Sequence, residues 1–159
     1  MVGKDLVRKT TVVHFLLAAL LTVLWPTAAA AQGPGIRGGV SLDPDQFYVG
    51  GHFETGELVE RLHFRPNLEA GFGDDVTLVA LNFDFIYKFP RRNDWRIYAG
   101  AGPGVNFYSI ELGNDRDTES EAGFNVLLGV EQSSGLFFEF KVGAIDSPEL
   151  KFGVGWTFR

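Results

Sequence analysis

The sequence predicts an all-β chain folded as an eight-stranded antiparallel up-and-down barrel, a transmembrane β-barrel. Three observations predict it. The ending Leu150–Arg159 alternates large apolar with small or polar residues without a break, so Leu150, Phe152, Val154, Trp156 and Phe158 share one face of a strand. The same dyad recurs upstream, divided by turn signals at nearly regular spacing. Glycine is abundant, at 20 residues, and aromatics make up 14% of the chain, which suits strands better than helices.

Each element follows from its punctuation. The first strand includes Ile36 to Leu42 and is closed by Asp43-Pro44-Asp45. The second runs from about Phe47 to Glu54, and Thr55-Gly56-Glu57 turns the chain into a third, Arg61 to Phe72. Gly73-Asp74-Asp75 leads to a fourth, Thr77 to Phe89, and Pro90–Asp94 is a tight connection to a fifth, Trp95 to Ile110. The longest loop is placed at Gly113 to Glu121. Gly123 to Glu131, the turn Gln132–Gly135, Leu136 to Ala144 and the turn Asp146-Ser147-Pro148 precede the last strand. Eight is an even number, as bacterial single-chain barrels require.

Ahead of these strands stands a different kind of segment. Lys4, Arg8 and Lys9 make a basic start, Phe15 to Leu24 is an apolar run, and Ala28 to Ala31 offers small residues for cleavage. Residues 1–31 therefore read as an export signal, cleaved near Ala31–Gln32, and residues 32–159 as the barrel domain. The apolar run is shorter than the roughly 20 residues of a spanning helix. Cysteine is absent, which excludes a lipidated anchor, disulfides and thiol chemistry. Removing the segment takes the net charge from −6 to about −8, because Lys4, Arg8 and Lys9 leave with Asp5, and this argues against nucleic acid as a partner.

Alternation alone does not say which face points outward. A soluble lipocalin-like barrel, with apolar side chains inside around a small apolar ligand, alternates too. Three features favour apolar side chains outside. The polar face is crowded with glycine, which a narrow lumen needs if large side chains are to fit beside small ones. Its charges nearly balance, as enclosed charges must. The lumen network predicted on this basis comprises Arg37, His52, Glu54, Arg61, His63, Arg65, Glu69, Asp84, Lys88, Arg96, Glu131, Glu139, Lys141 and Lys151. Finally, Phe89, Trp95, Trp156 and Phe158 gather at one end, where an interfacial aromatic girdle belongs. The short turns at Thr55–Glu57, Pro90–Asp94 and Gln132–Gly135 would then be periplasmic, with both termini, and the other loops extracellular.

Two segments resemble a known family. Tyr98-Ala99-Gly100-Ala101-Gly102-Pro103-Gly104-Val105-Asn106-Phe107 looks like the central strand of the small outer-membrane β-barrel superfamily that includes OmpA transmembrane domains and OmpX-like proteins. Phe152 to Phe158 is similar to the terminal strand that such proteins present to the outer-membrane assembly machinery, although here Arg159 follows the final aromatic. The resemblance implies insertion in the outer membrane of a diderm bacterium, contact with outer-membrane lipid and lipopolysaccharide, and a monomer. It implies no single activity, since members serve as structural barrels, adhesion or resistance factors, and occasionally lipid-modifying enzymes.

Candidate chemistry is sparse. If the second hairpin pairs Phe53 with Leu62, His52 faces His63 and Glu54 faces Arg61, a set that could ligate zinc but reads more simply as lumen hydrogen bonding and a salt bridge. A lipid-A-modifying barrel needs a serine within reach of a histidine, and Ser41, Ser109, Ser120 and Ser147 have none close in register. The acidic outer segments, including Gly113-Asn114-Asp115-Arg116-Asp117, contain part of a calcium-loop pattern without its terminal glutamate. Gly100, Gly102 and Gly104 are followed by more strand, not by the helix of a dinucleotide fingerprint. The expectation is no catalytic residue, no metal and no cofactor.

Overall fold

The computed structural model describes residues 33–42, 45–73, 76–112, 115–145 and 150–159, with backbone alone at 76, 109–118 and 145. The expected export signal and its cleavage point lie outside the described residues. So do positions 43–44, 74–75, 113–114 and 146–149 of the expected outer loops.

The strands are β1 (Gly33–Leu42), β2 (Asp45–Glu54), β3 (Glu57–Val59), β4 (Leu62–Phe72), β5 (Val76–Lys88), β6 (Trp95–Leu112), β7 (Asp115–Gln132), β8 (Leu136–Ile145) and β9 (Leu150–Thr157). All neighbours pair antiparallel. The order β2-β1-β9-β8-β7-β6-β5-β4 is closed by β2 pairing with β4, from Phe47 opposite Phe72 to His52 opposite Asn67. Among the described residues the result is a closed eight-stranded barrel with no helix, and β3 is a short arm paired to β4. Closure satisfies the backbone groups that an open sheet would leave at its edges.

The second hairpin differs from the expected one. With Gly51 opposite Leu68, the expected match of Phe53 with Leu62 is not made. The chain between β2 and β4 instead runs out along β3 and turns back, with Val59 opposite Leu62 and a register shift between Glu57 and Val59. Arg61 sits in this turn at φ 64°, the left-handed region. The predicted lumen position for Arg61 is therefore a correction: its side chain is 41% exposed, beside Glu60 at 3.5 Å and the Tyr87 hydroxyl at 3.5 Å.

The expected long loop over Gly113 to Glu121 is also replaced. β6 and β7 remain paired out to Leu112 opposite Asp115, so Asp115 to Glu121 belong to a strand and only two residues separate the two. Among the described residues, pairing of β7 with β8 stops at Phe124 opposite Ile145, so the far part of β7 pairs with β6 alone. Its sequence is Asp115-Arg116-Asp117-Thr118-Glu119-Ser120-Glu121, and charged residues on an edge strand discourage pairing with other chains.

The outer face is apolar, whereas the interior mixes charged and polar side chains with a few apolar ones, among them Leu78, Ile86, Leu127 and Phe137. The predicted apolar positions are all exposed or half-exposed, from Ile36 at 59% and Phe47 at 72% to Ile97, Leu128 and Phe152 at 54%, 54% and 47%. The most deeply buried side chains include Arg65, Lys88, Glu54, Glu69 and Glu131. A soluble ligand-binding barrel would have the opposite arrangement. Glycines on the inner face make room for the large residues beside them. A Cβ at Gly129 would strike the Tyr98 ring, one at Gly155 the Phe137 ring, and one at Gly35 the His52 imidazole. Each is the cross-strand partner of the residue it accommodates.

Candidate functional site

The interior holds one continuous chain of alternating charge. Near the end of the barrel where β1 begins and β9 finishes, Glu131 accepts from Arg96 at 2.6 Å and from Lys88 at 2.8 Å. The Lys88 ammonium also reaches Glu54 at 2.6 Å, and Glu54 accepts from Arg65 at 2.8 and 3.1 Å. Arg65 passes the chain to Glu139 at 3.0 Å, and Glu139 is also bonded by Arg37. Arg37 lies 3.4 Å from Glu69, and Glu69 ends the series on Lys151 at 2.8 Å. The series draws on all eight barrel strands: Arg96 and Glu131 stand opposite each other on neighbouring strands, whereas Arg65 and Glu139 meet across the lumen.

The logic is electrostatic. An unpaired charge in a low-dielectric interior is strongly unfavourable, and attraction offsets its desolvation only when geometry is good and the remaining donors are used. Here the two central arginines also stack on rings. The Arg65 guanidinium lies 4.8 Å from the Tyr98 centroid and 5.1 Å from that of Phe137, and Arg37 lies 5.5 Å from Phe137. Tyr98 donates its hydroxyl to Glu139 at 3.0 Å.

A second group lies toward the other end. Lys141 donates to Asp84 at 2.8 Å, as does the Asn67 amide. Asn82 donates to Asn67 at 2.9 Å, and Asn125 to Asn82 at 3.0 Å. Side-chain amides thus join the charges in this group.

Of the residues predicted for the lumen, the structure brings Arg37, Glu54, Arg65, Glu69, Lys88, Arg96, Glu131, Glu139 and Lys151 into the charge chain, and Asp84 and Lys141 into the second group. The two histidines are buried but not together. His52 pairs through Nε2 with the Thr157 hydroxyl at 3.0 Å, edge-on to Phe137 at 5.3 Å. His63 donates from Nδ1 to the Thr55 carbonyl at 3.0 Å. His52 lies opposite Asn67 and His63 opposite Ile86, so the register that would have set them face to face does not occur. Glu54 turns to Arg65 and Lys88 instead of Arg61. No group of three metal-ligating side chains occurs among the described residues.

The interior also contains residues that the reading by charge passed over: Tyr48, Tyr98, Phe137, Asn67, Asn82 and Asn125. Each stands at the strand parity of a predicted lumen residue, Tyr98 two after Arg96 and Asn82 two before Asp84. Parity alone was the signal that could have found them. The predicted girdle residues Phe89, Trp95, Trp156 and Phe158 are exposed on the outer face at the end of the barrel that carries Glu131. Trp95 packs near Phe138, with centroids 6.2 Å apart.

Chemically, the arrangement holds charges in fixed opposition. It does not assemble a nucleophile, base and orienting acid among the described residues. The His52 Nδ1 faces no acceptor, and the Ser41 hydroxyl has no partner.

No family model matches the sequence, and no curated protein matches it. Among solved structures, the chain is similar to the N-terminal β-barrel domain of Pseudomonas aeruginosa OprF. The TM-score is 0.58 at 15% identity, over 79% of this chain and 96% of that one. It is also similar to Neisserial surface protein A (NspA), with a TM-score of 0.50 at 17% identity, over 79% of this chain and 93% of that one. At such identities the likeness is one of fold, that of a closed eight-stranded antiparallel barrel.

Proposed function

We propose that the chain is a small integral outer-membrane protein of a diderm bacterium, exported through a cleaved signal at residues 1–31. In this reading the lumen is plugged by its own side chains and forms no wide channel, and the barrel serves as a structural element or a surface for recognition. One observation carries the reading: a continuous apolar outer face, with Ile36, Leu68, Ile97, Leu128, Phe138 and Phe152 exposed, encloses a charged interior. Water would not favour that arrangement, whereas hydrocarbon requires it. The closed lumen is supported by the cross-barrel ion pairs, which leave large side chains from opposite walls in contact. A recognition role draws on the β6–β7 hairpin, which continues past the end of β8.

Outer-membrane lipid, lipopolysaccharide and the assembly machinery are the partners this reading implies, with the protein as a monomer. The role is read as non-enzymatic. The deciding experiment is heat-modifiable gel migration of protein purified from membranes in mild detergent. A fast unboiled band that slows on boiling is expected. A protein soluble without detergent, with no such shift, would defeat the proposal.

A further inference from the structure

The rim of the barrel is uneven at the end away from Glu131. There β6 is backed by β5 as far as Ile110, opposite Val76, and carries β7 out to Asp115, opposite Leu112. β8 leaves β7 at Phe124, opposite Ile145. Only four residues separate Ile145 from Leu150, and Leu150 is already back opposite Val142, so that connection is too short to follow β7 out to Asp115. Among the described residues, the stretch Asp115–Glu121 therefore pairs on one side only. It is roughly 24 Å of extended chain.

The register says which groups are left over. Ser133 donates to the Asp94 carbonyl at 2.9 Å, in step with the rest of the β6–β7 ladder. Bonding alternates between the two neighbours along an antiparallel strand, so the odd-numbered residues of β7 bond to β6 and the even-numbered ones to the other side. Val126, Leu128 and Val130 use those groups on β8. At Arg116, Thr118 and Ser120 the amides and carbonyls run along an open edge. The sheet behind them is β5, β6 and β7 in continuous register, and three strands hold where a lone hairpin is marginal. An edge of this kind is a template for one more strand.

Charge selects the strand. Asp115, Asp117, Glu119 and Glu121 share one parity, and Arg116 is the one cation of the stretch. A second copy of β7 on this edge would bring acids opposite acids, which is unfavourable across a strand pair. A strand with a basic residue at every second position sets a cation beside each acid instead.

We infer that the edge of β7 from Arg116 to Ser120 is a docking site for an extended basic segment of a partner protein, which adds as a strand beside β7. The inference deepens the recognition reading above and rests on it. Backbone bonds supply the affinity, and the row of acids turns away strands that are not basic.

The test uses the full mature barrel in non-ionic maltoside micelles. The probe is a blocked peptide of alternating lysine and threonine, matched in length to Asp115–Glu121. At saturation, amide hydrogen exchange followed by NMR should slow at Arg116, Thr118 and Ser120. It should stay as it was at Asp117, Glu119 and Glu121, whose amides β6 already holds. Ser120→Pro removes an edge donor and spares the β6 ladder, and should weaken binding by about tenfold or more. A peptide of the same charge with proline in place of threonine should bind about tenfold more weakly as well. Absence of saturable binding, equal binding of the proline peptide, or slowed exchange without regard to parity would each overturn the site. If Ser120→Pro does not fold, Glu119→Lys/Glu121→Lys is judged by the same titration and should also lower affinity by about tenfold. Heat-modifiable migration of the unaltered protein separates the two claims. Normal migration with a flat titration defeats the docking edge alone. Absent migration defeats the membrane reading, and the exchange pattern still decides the edge.

Discussion

Glu139 shows what a single residue contributes to this interior. Its carboxylate is shared by Arg37, Arg65 and the Tyr98 hydroxyl, all deeply buried. Replacing it with glutamine keeps the shape but leaves Arg65 with Glu54 and Arg37 with Glu69 as their remaining carboxylates. Glu139→Gln should destabilise the barrel by about 3–5 kcal/mol, the range for breaking a buried ion pair from one side. Urea unfolding in lipid vesicles would measure this, and a loss below about 1 kcal/mol would mean that water compensates the arginines. Gly129 makes the complementary point about space, since the Tyr98 ring occupies the place where its side chain would begin. Gly129→Leu should cost about 1–3 kcal/mol by overpacking. Adding Tyr98→Ala should restore part of that loss, whereas strictly additive losses would show that the two sites do not share space.

At the scale of the strand, adjacent residues of β5 carry opposite duties. Phe83 lies on the outer face, its ring stacked on Phe64 with centroids 6.4 Å apart, while Asp84 lies inside and accepts from Lys141 and Asn67. Phe83→Lys should oppose membrane insertion by about 2–4 kcal/mol, as charges do on the lipid face at mid-bilayer. Asp84→Ala should still insert while loosening the lumen around Lys141. Folding into vesicles distinguishes the two, and equal insertion of both variants would contradict the face assignment. The β2–β4 hairpin shows how a strand's register escapes a local reading. His52 and His63 have the correct parity for the interior, but the β3 arm lengthens the connection and moves the pairing to His52 opposite Asn67. Parity survives such an even-numbered slip, whereas the identity of the cross-strand partner does not.

Over the barrel as a whole, the two ends differ in sequence: carboxylates crowd the β6–β7 hairpin, and Arg91, Arg92 and Arg159 stand at the other end with Asp94, Glu57 and Glu60. If the arginine end faces the periplasm, a chain without cysteine offers a direct test of orientation. Glu119→Cys should react with a membrane-impermeant maleimide on intact cells, and Ser133→Cys should react only after the outer membrane is opened. Both positions are exposed, so access through the membrane is the variable being read. The reverse pattern would invert the orientation.

Much of this molecule was legible in its residues. Alternation along β5 to β9 marked the strands and their faces, because side chains on a strand repeat every two residues whatever the partner. Glycine on the polar parity showed that this face is crowded, and Gly129, Gly153 and Gly155 each lie against a ring of the interior. The length of the β6–β7 hairpin was less legible. Gly113-Asn114 is a two-residue turn signal, but the acidic run after it reads as loop until the pairing of Ile110 with Asp117 is seen. Which carboxylate meets which cation was not legible at all. Arg65 finds Glu139 and Glu54, and Lys88 finds Glu131, only because closure brings distant strands to face one another across a narrow lumen. Local periodicity is a property of one strand. Ion pairing across the barrel is a property of shear and register summed around all eight, and only the closed fold sets those.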